Sequence, residues 1–372
     1  IKMSKAAELA NLIGNINAGG GGVNRNLVIN GAMNVHQRST SVTGVGASAG
    51  YFTADRFYIE PSGTAGRLTV TQDSSAPSGF ANSMKLACTT ADTSIASGEV
   101  FDIQQRFEGQ NLQGFAKGTS DAKPFALSFY VKGNASATYV AELYDNDNNR
   151  QISKTFNVTT DWERVELTYP ADTTGTFDDD NAISLFLVIW LHAGSNYTSG
   201  TLNSSSWASN TQANRVVGIS SFFDSTDRTF FLTGVQLEVG QNPTSFEHEP
   251  FEKTLDKCHR YYWKIGASTE NELYYRYGNH GESISSSQAQ TVVQFPKKMR
   301  AQPSLTENGD IRWYSNGSII EPSGACTVDG NAGGTYATNM VNGGLSGLTA
   351  GRAGIFLSNN NTTSNLEWDA EL

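Results

Sequence analysis

Between residues 24 and 246 the chain reads as one strand after another, and this pattern constrains the fold more than any single motif does. Leu127, Phe129 and Val131 alternate with Ser128 and Tyr130, and Val165, Leu167 and Tyr169 alternate with Glu166 and Thr168. A period of two sends alternate side chains to opposite faces, as in half-buried antiparallel strands. The run 185–191 is apolar at every position, which predicts a central strand covered on both sides. The run 230–237 predicts another, with Gly234 placed for a bulge. Turn clusters at 146–149, 173–175 and 178–180 separate these runs. Many short strands with no long helix between them predict a jelly-roll β-sandwich over 23–250.

Two short helices flank that region. Leu9, Leu12, Ile13 and Ile16 fall at i, i+3, i+4 and i+7 and form one apolar stripe within residues 4–17. A helix this short is marginal alone in water, so the stripe needs a partner surface. It can dock on its own domain or form a seam between symmetry-related copies, with Ala6 and Ala7 allowing close approach. The run Gly19, Gly20, Gly21 and Gly22 reads as a flexible linker and favours the seam. Residues 1–22 are therefore expected to be a trimerisation or attachment segment. Over 251–264, Pro250 and the acidic Glu249 and Glu252 suit a helix start, and Lys257, His259, Arg260 and Lys264 suit its end. This is the expected connector helix, with Gly266 as its cap. Short apolar runs at 273–277, 290–295, 311–320 and 355–358 predict a second, C-terminal β-sandwich over 265–372. The expected fold class is thus mainly β, with a jelly roll, a second sandwich, a short N-terminal helix and a connector helix.

Composition narrows the function. Charged residues make up 17%, below the roughly 25% usual for soluble domains. Ser, Thr, Asn and Gly take their place, as suits a loop-rich virion or extracellular protein. The net charge of −10 opposes a polyphosphate partner, so nucleic-acid binding is not expected. Cys88, Cys258 and Cys326 are too few and too far apart for a disulfide framework or a zinc site. No apolar stretch approaches the roughly 18–20 residues of a membrane span, and the N-terminus lacks a secretory pattern, which predicts assembly in a reducing cytoplasm.

Catalytic constellations are sparse. The five histidines, His36, His192, His248, His259 and His280, form no HxH or HxxxH pair. There is no GxSxG, P-loop or dinucleotide fingerprint, and no cofactor is expected. A glycosidase needs only two carboxylates at the right separation, a pair that spacing alone does not exclude. Asp178, Asp179 and Asp180 could ligate calcium, but such loops are ordinarily solvated turns, as is the Asn-rich turn holding Asp145 and Asp147. Aromatic residues are the better candidates, because sugar C–H faces stack on Trp and Tyr rings. Trp207 lies in a Ser-rich stretch, and Trp313 and Tyr314 stand beside Asn316.

Four segments carry a family resemblance. Residues 26–38, opening Asn26-Leu27-Val28-Ile29-Asn30-Gly31, with Tyr51-Phe52-Thr53-Ala54-Asp55-Arg56-Phe57, resemble the start of the carbohydrate-binding-module-like domain of bacteriophage tail fibres. Gln104-Gln105-Arg106-Phe107-Glu108-Gly109 and residues 127–132 resemble its middle, and residues 232–240 with Cys258-His259-Arg260-Tyr261-Tyr262 its end. Phe295-Pro296-Lys297-Lys298-Met299-Arg300-Ala301-Gln302-Pro303 is similar to the opening strand of the distal domain, and residues 4–13 to a segment near the start of phage appendage chains. The resemblance implies a non-catalytic homotrimeric fibre on the virion. Its partners would be other tail proteins and a host surface glycan or other receptor. Leu9, Leu12, Ile13 and Ile16 would then form the trimer seam. An N-terminally anchored fibre meets the host with its far end, which puts Trp313, Tyr314 and Asn316 first among receptor contacts. The competing location is the concave face of the jelly roll, with Trp207 or Tyr144. A depolymerising tail spike and a secreted glycan-binding module are the rival functions.

Overall fold

The computed structural model describes residues 4–17, 24–330 and 333–372, which divide into two units at Thr254 and Leu255. In the first unit the alternating runs form two antiparallel sheets. One has six strands in the order Ser41–Val45, Arg67–Asp73, Ser83–Thr90, Thr229–Val239, Phe125–Gly133, Glu163–Tyr169. The other has seven, in the order Ala208–Ser209, Arg150–Val158, Ala137–Asp145, Ile183–Ala193, Val100–Glu108, Tyr58–Ser62, Gly50–Tyr51. Leu127, Phe129 and Val131 from the first sheet and Ala141, Leu143, Leu187 and Ile189 from the second share one buried core. This is the expected jelly-roll sandwich. Val131 to Phe125 pair with Glu163 to Tyr169 without a break, as the period-two pattern requires. The expected bulge is present: register shifts between Thr233 and Gln236, and Gly234 has φ 62°. A Cβ there would lie 2.8 Å from the rings of Phe80 and Tyr130.

The segment that carries the family resemblance is a structural staple. The Asn30 side chain donates to the carbonyls of Val35 and Asp55 and accepts from the amides of Asn34 and Val35. Gly31 passes so close to the Thr229–Val239 strand that a Cβ would sit 2.1 Å from the Val235 carbonyl oxygen. Arg56 is buried and donates to the Arg106 carbonyl oxygen at 2.8 Å.

One buried charge is wholly enclosed. The Lys117 side chain has no exposed surface, and its Nζ lies 2.6 Å from Asp145 Oδ2 and 3.1 Å from Asp172 Oδ2. It also donates to the carbonyls of Thr174 and Gly175, both at 2.8 Å. Arg150 adds a second cation on Asp172 at 2.8 Å. Burial pushes the Asp145 carboxyl up against the pull of Lys117, whereas at Asp172 burial is outweighed by Arg150 and Lys117 and the pKa is held down.

The helix Lys5–Asn17 forms as the spacing predicts. Leu9 is 57% and Ile13 49% exposed, with Leu12 half-buried. The linker expected at 19–22 and the side chain of Ile16 lie outside the described residues. The connector helix expected over 251–264 is shorter, Phe251–His259. It stops because Tyr262–Gly266 is a strand paired antiparallel with Asn365–Asp369, and Gly266 ends that strand and starts the short helix Ala267–Glu270 instead of closing the connector helix. Edge pairing with a strand a hundred residues downstream overrides the basic residues that read as a helix end.

The second unit is also a β fold. A three-stranded sheet runs Tyr262–Gly266, Asn365–Asp369, Ser304–Asn308. A seven-stranded sheet runs Ser318–Ile320, Ile311–Ser315, Ala353–Ser358, Arg276–Ser283, Ala289–Gln294, Ala337–Asn342, Thr327–Val328. The run 311–320 is a hairpin turning at Asn316 and Gly317, and the strand expected at 273–277 begins only at Arg276. All three cysteines are buried and none is in a disulfide. No helix among the described residues is long and apolar enough to cross a membrane.

Candidate functional site

Two adjacent strands of the seven-stranded sheet in the first unit build a cleft on its outer face. Along Val100–Glu108, the outward positions are Asp102, Gln104 and Arg106. Along Ile183–Ala193 they are Phe186, Val188 and Trp190, and the register sets Asp102 opposite Trp190, Gln104 opposite Val188 and Arg106 opposite Phe186. A polar row therefore faces an apolar row across one strand gap. Tyr144 and Asn146 extend the floor, Glu60 closes one side, and Tyr197 and Arg215 rise from the loop segment, enclosing about 300 Å³. Val188 and Trp190 pack with Val140 and Val216 in a small outer cluster, which explains why the run 185–191 is apolar on both faces. Phe186 stays half-exposed, and its ring centroid is 5.9 Å from that of Tyr144.

The polar groups are locked to one another. Glu142 is fully buried and receives Nε and Nη2 of Arg215 at 2.8 and 2.6 Å, with Trp190 Nε1 at 2.8 Å. The Arg215 guanidinium in turn lies over the rings of Trp190 (4.8 Å) and Tyr144 (5.3 Å). Gln104 donates to Asp102 at 2.9 Å and accepts from Arg106 Nε at 3.1 Å, while Arg106 stacks 3.6 Å over Tyr58. Such mutual support fixes rotamers before any ligand arrives. Burial pushes the Asp102 carboxyl up to about 8, with Gln104 and Arg215 opposing and the nearby Glu60 and Glu142 adding to the rise. Near neutral pH Asp102 is thus an acid with a proton to donate.

That protonation has a measurable consequence. The carboxyl titrates near 3.9 when unfolded, so the folded chain binds more protons than the unfolded one from about pH 4 to about pH 8. Stability carried by this group therefore falls as pH rises through that window. Asp102→Asn is expected to show a shallower fall in Tm over the same range. Superimposable slopes in thermal melts would exclude a neutral Asp102.

The four candidate receptor residues do not converge. Trp207 is 6% exposed, donates Nε1 to the Pro170 carbonyl at 2.9 Å and packs on Phe125 in the sandwich core. Trp313 is fully buried, 4.7 Å from Phe356 by ring centroid, in the core of the second unit. Gly354 passes flat against it, where a Cβ would fall 2.3 Å from the indole. Neither indole is placed to stack on a sugar. Tyr314, 40% exposed, and Asn316 line a separate depression of about 470 Å³ in the second unit with Tyr274, Arg276 and His280. Asp178, Asp179 and Asp180 are exposed, and Asp180 accepts from the Ala182 amide at 2.9 Å as a turn would. Of the residues proposed from the sequence as receptor contacts, Tyr144 alone lies in the cleft. Paired outward positions on strands 102–106 and 186–190 were the signal for the rest.

No protein-family model matches the chain, and no curated protein sequence matches it. Solved structures similar to it include one described as "CBM4 structure and function", with 11% identity over 56% of this chain and 97% of that one, at a TM-score of 0.30. Another is the enzymatically active domain of tailspike protein 4 from bacteriophage CBA120, with 13% identity over 57% of this chain and 21% of that one, at 0.29. A third is a family 11 carbohydrate-binding module from Clostridium thermocellum, with 11% identity over 56% and 98% of the two chains, at 0.28. At TM-scores of this size the fold assignment rests on the strand order and shared core described above.

Proposed function

We propose that this chain is a non-catalytic, receptor-binding fibre protein of a tailed bacteriophage, which attaches the virion to glycans on the host surface. The cleft on the outer face of the jelly roll carries the glycan part. Tyr144, Phe186 and Tyr197 offer ring faces to sugar C–H groups, and Asp102, Gln104, Arg106 and Asn146 offer donors and acceptors to hydroxyls. The succession of fibre-like segments along the chain supports the virion part. A homotrimer is supported by the exposed Leu9 and Ile13 on the helix Lys5–Asn17, an apolar stripe that parallel copies would cover. Identical clefts on one fibre would then multiply a weak sugar contact through effective concentration.

The test is adsorption of the full-length protein to host cells. Tyr144→Ala combined with Phe186→Ala is expected to weaken adsorption about tenfold or more, the equivalent of about 1.4 kcal/mol. Tyr314→Ala should leave it within about twofold. The opposite ranking would move the site to the second unit, at Tyr314 and Asn316.

One observation favours a depolymerase instead: a carboxyl held protonated in a cleft that Glu60 also lines, with the buried Glu142 nearby, is the acid half of a glycosidase pair. Glu142 is a poor second half, because Arg215 and Trp190 already occupy its oxygens. Reducing-end release from host polysaccharide above background, abolished by Asp102→Asn, would establish the enzyme and overturn the non-catalytic proposal.

A further inference from the structure

Three buried ligating side chains meet at one end of the jelly roll, away from the cleft residues named above. His192 closes the strand Ile183–Ala193, Glu99 immediately precedes Val100–Glu108, and Asp92 follows Ser83–Thr90. They are 0%, 5% and 6% exposed, and one ligand atom from each lies within 4.8 Å of the others. Asp92 Oδ2 accepts from Thr64 Oγ1 at 2.8 Å and from the Ala65 amide at 2.7 Å. Glu99 Oε1 accepts from the Ala96 amide at 2.9 Å. His192 Nδ1 is 2.8 Å from Ser221 Oγ, itself held by the Phe223 amide. Each group is thus anchored through one atom from behind. Metal ligands are oriented in this way by outer partners, and a histidine ligand hands its other N–H to an acceptor such as Ser221 Oγ.

The donor set points the same way: two carboxylates and one imidazole share a buried pocket, and buried carboxylates are ordinarily paired or coordinate a metal. His192 Nε2 and Glu99 Oε2 stand 3.0 Å apart. Two ligand atoms each about 2.1 Å from one tetrahedral ion stand about 3.4 Å apart, so the pair need spread by only about 0.4 Å to admit it.

We propose that Asp92, Glu99 and His192 form a structural site for a divalent transition metal, with zinc as the probe, that clamps one end of the sandwich. His192 binds through Nε2, each carboxylate through one oxygen, and water completes the shell. The nitrogen ligand selects zinc over calcium, which takes an all-oxygen shell. The clamp would tie together five stretches of chain: the Thr64 loop, the segment at Asp92, the two paired strands of the cleft sheet that carry Glu99 and His192, and the segment at Ser221. None is held to the others by a disulfide.

The experiment measures zinc by elemental analysis on the full chain, refolded with zinc and dialysed, and compares melts with and without chelator. One zinc per chain and a Tm lowered by about 5 °C or more on chelation are expected. His192→Gln and Asp92→Asn should lose both the zinc and the chelator response, whatever their own melting temperature. Less than a tenth of an equivalent bound, or a Tm indifferent to zinc at about a hundredfold excess over chain, would overturn the proposal. So would stabilisation by calcium but not zinc. Were a variant not to fold, the stoichiometry and chelator response of the unaltered chain decide the outcome alone.

Discussion

Lys117→Met is expected to lower the stability of the first unit by about 3–5 kcal/mol. The methionine keeps the volume of the stem and removes the ammonium. Asp145, whose side chain has no exposed surface, would lose its cation at 2.6 Å. Asp172 would keep Arg150, so Asp145 bears most of the loss. Two backbone carbonyls, of Thr174 and Gly175, would lose their donor as well. Asp145→Asn together with Lys117→Met should recover part of the loss, because the uncompensated charge is gone. Denaturant titration checks both. A midpoint for Lys117→Met close to that of the unaltered chain would show that water or another cation takes the place of the ammonium.

Trp313→Ala carries the second large effect, about 3–5 kcal/mol, and confines it to the second unit. The indole fills the space between Phe356 and the flat face of Gly354, so truncation leaves a cavity that the sheet cannot close. Trp313→Phe should be milder and leave host adsorption unchanged. Retained adsorption in a folded Trp313→Phe protein separates a core role from a sugar-stacking one. Selective loss of adsorption at unchanged melting temperature would restore Trp313 as a contact residue.

The strands were legible where burial is one-sided or total. The alternation at 127–131 and 165–169 and the apolar run 185–191 all became strands of the jelly roll, because the sheet pleat and the sequence share a period of two. Edges of the second unit were hidden. Tyr262–Gly266 pairs with Asn365–Asp369, a partner about a hundred residues away, and no local spacing announces such a contact. The site was less legible still. Ring type drew attention to Trp207 and Trp313, yet large rings fill cores as readily as they line surfaces. The cleft depends on register: Asp102, Gln104 and Arg106 become neighbours of Trp190, Val188 and Phe186 only once the two strands pair. Asp92, Glu99 and His192 are spread over a hundred residues of chain, which no spacing rule for metal ligands covers.

The enclosure of Lys117 makes that residue a built-in reporter. Amine-reactive reagents need a free, uncharged, accessible nitrogen. This one is held by Asp145, Asp172 and two carbonyls, and its side chain has no exposed surface. The other described lysines are not buried and would acylate in the folded chain, while Lys117 would acquire its tag only when the sandwich opens around it. Peptide mapping of that one amine after a timed pulse would therefore count how often the jelly roll opens, in the purified chain or in whatever assembly carries it, without the assembly being taken apart.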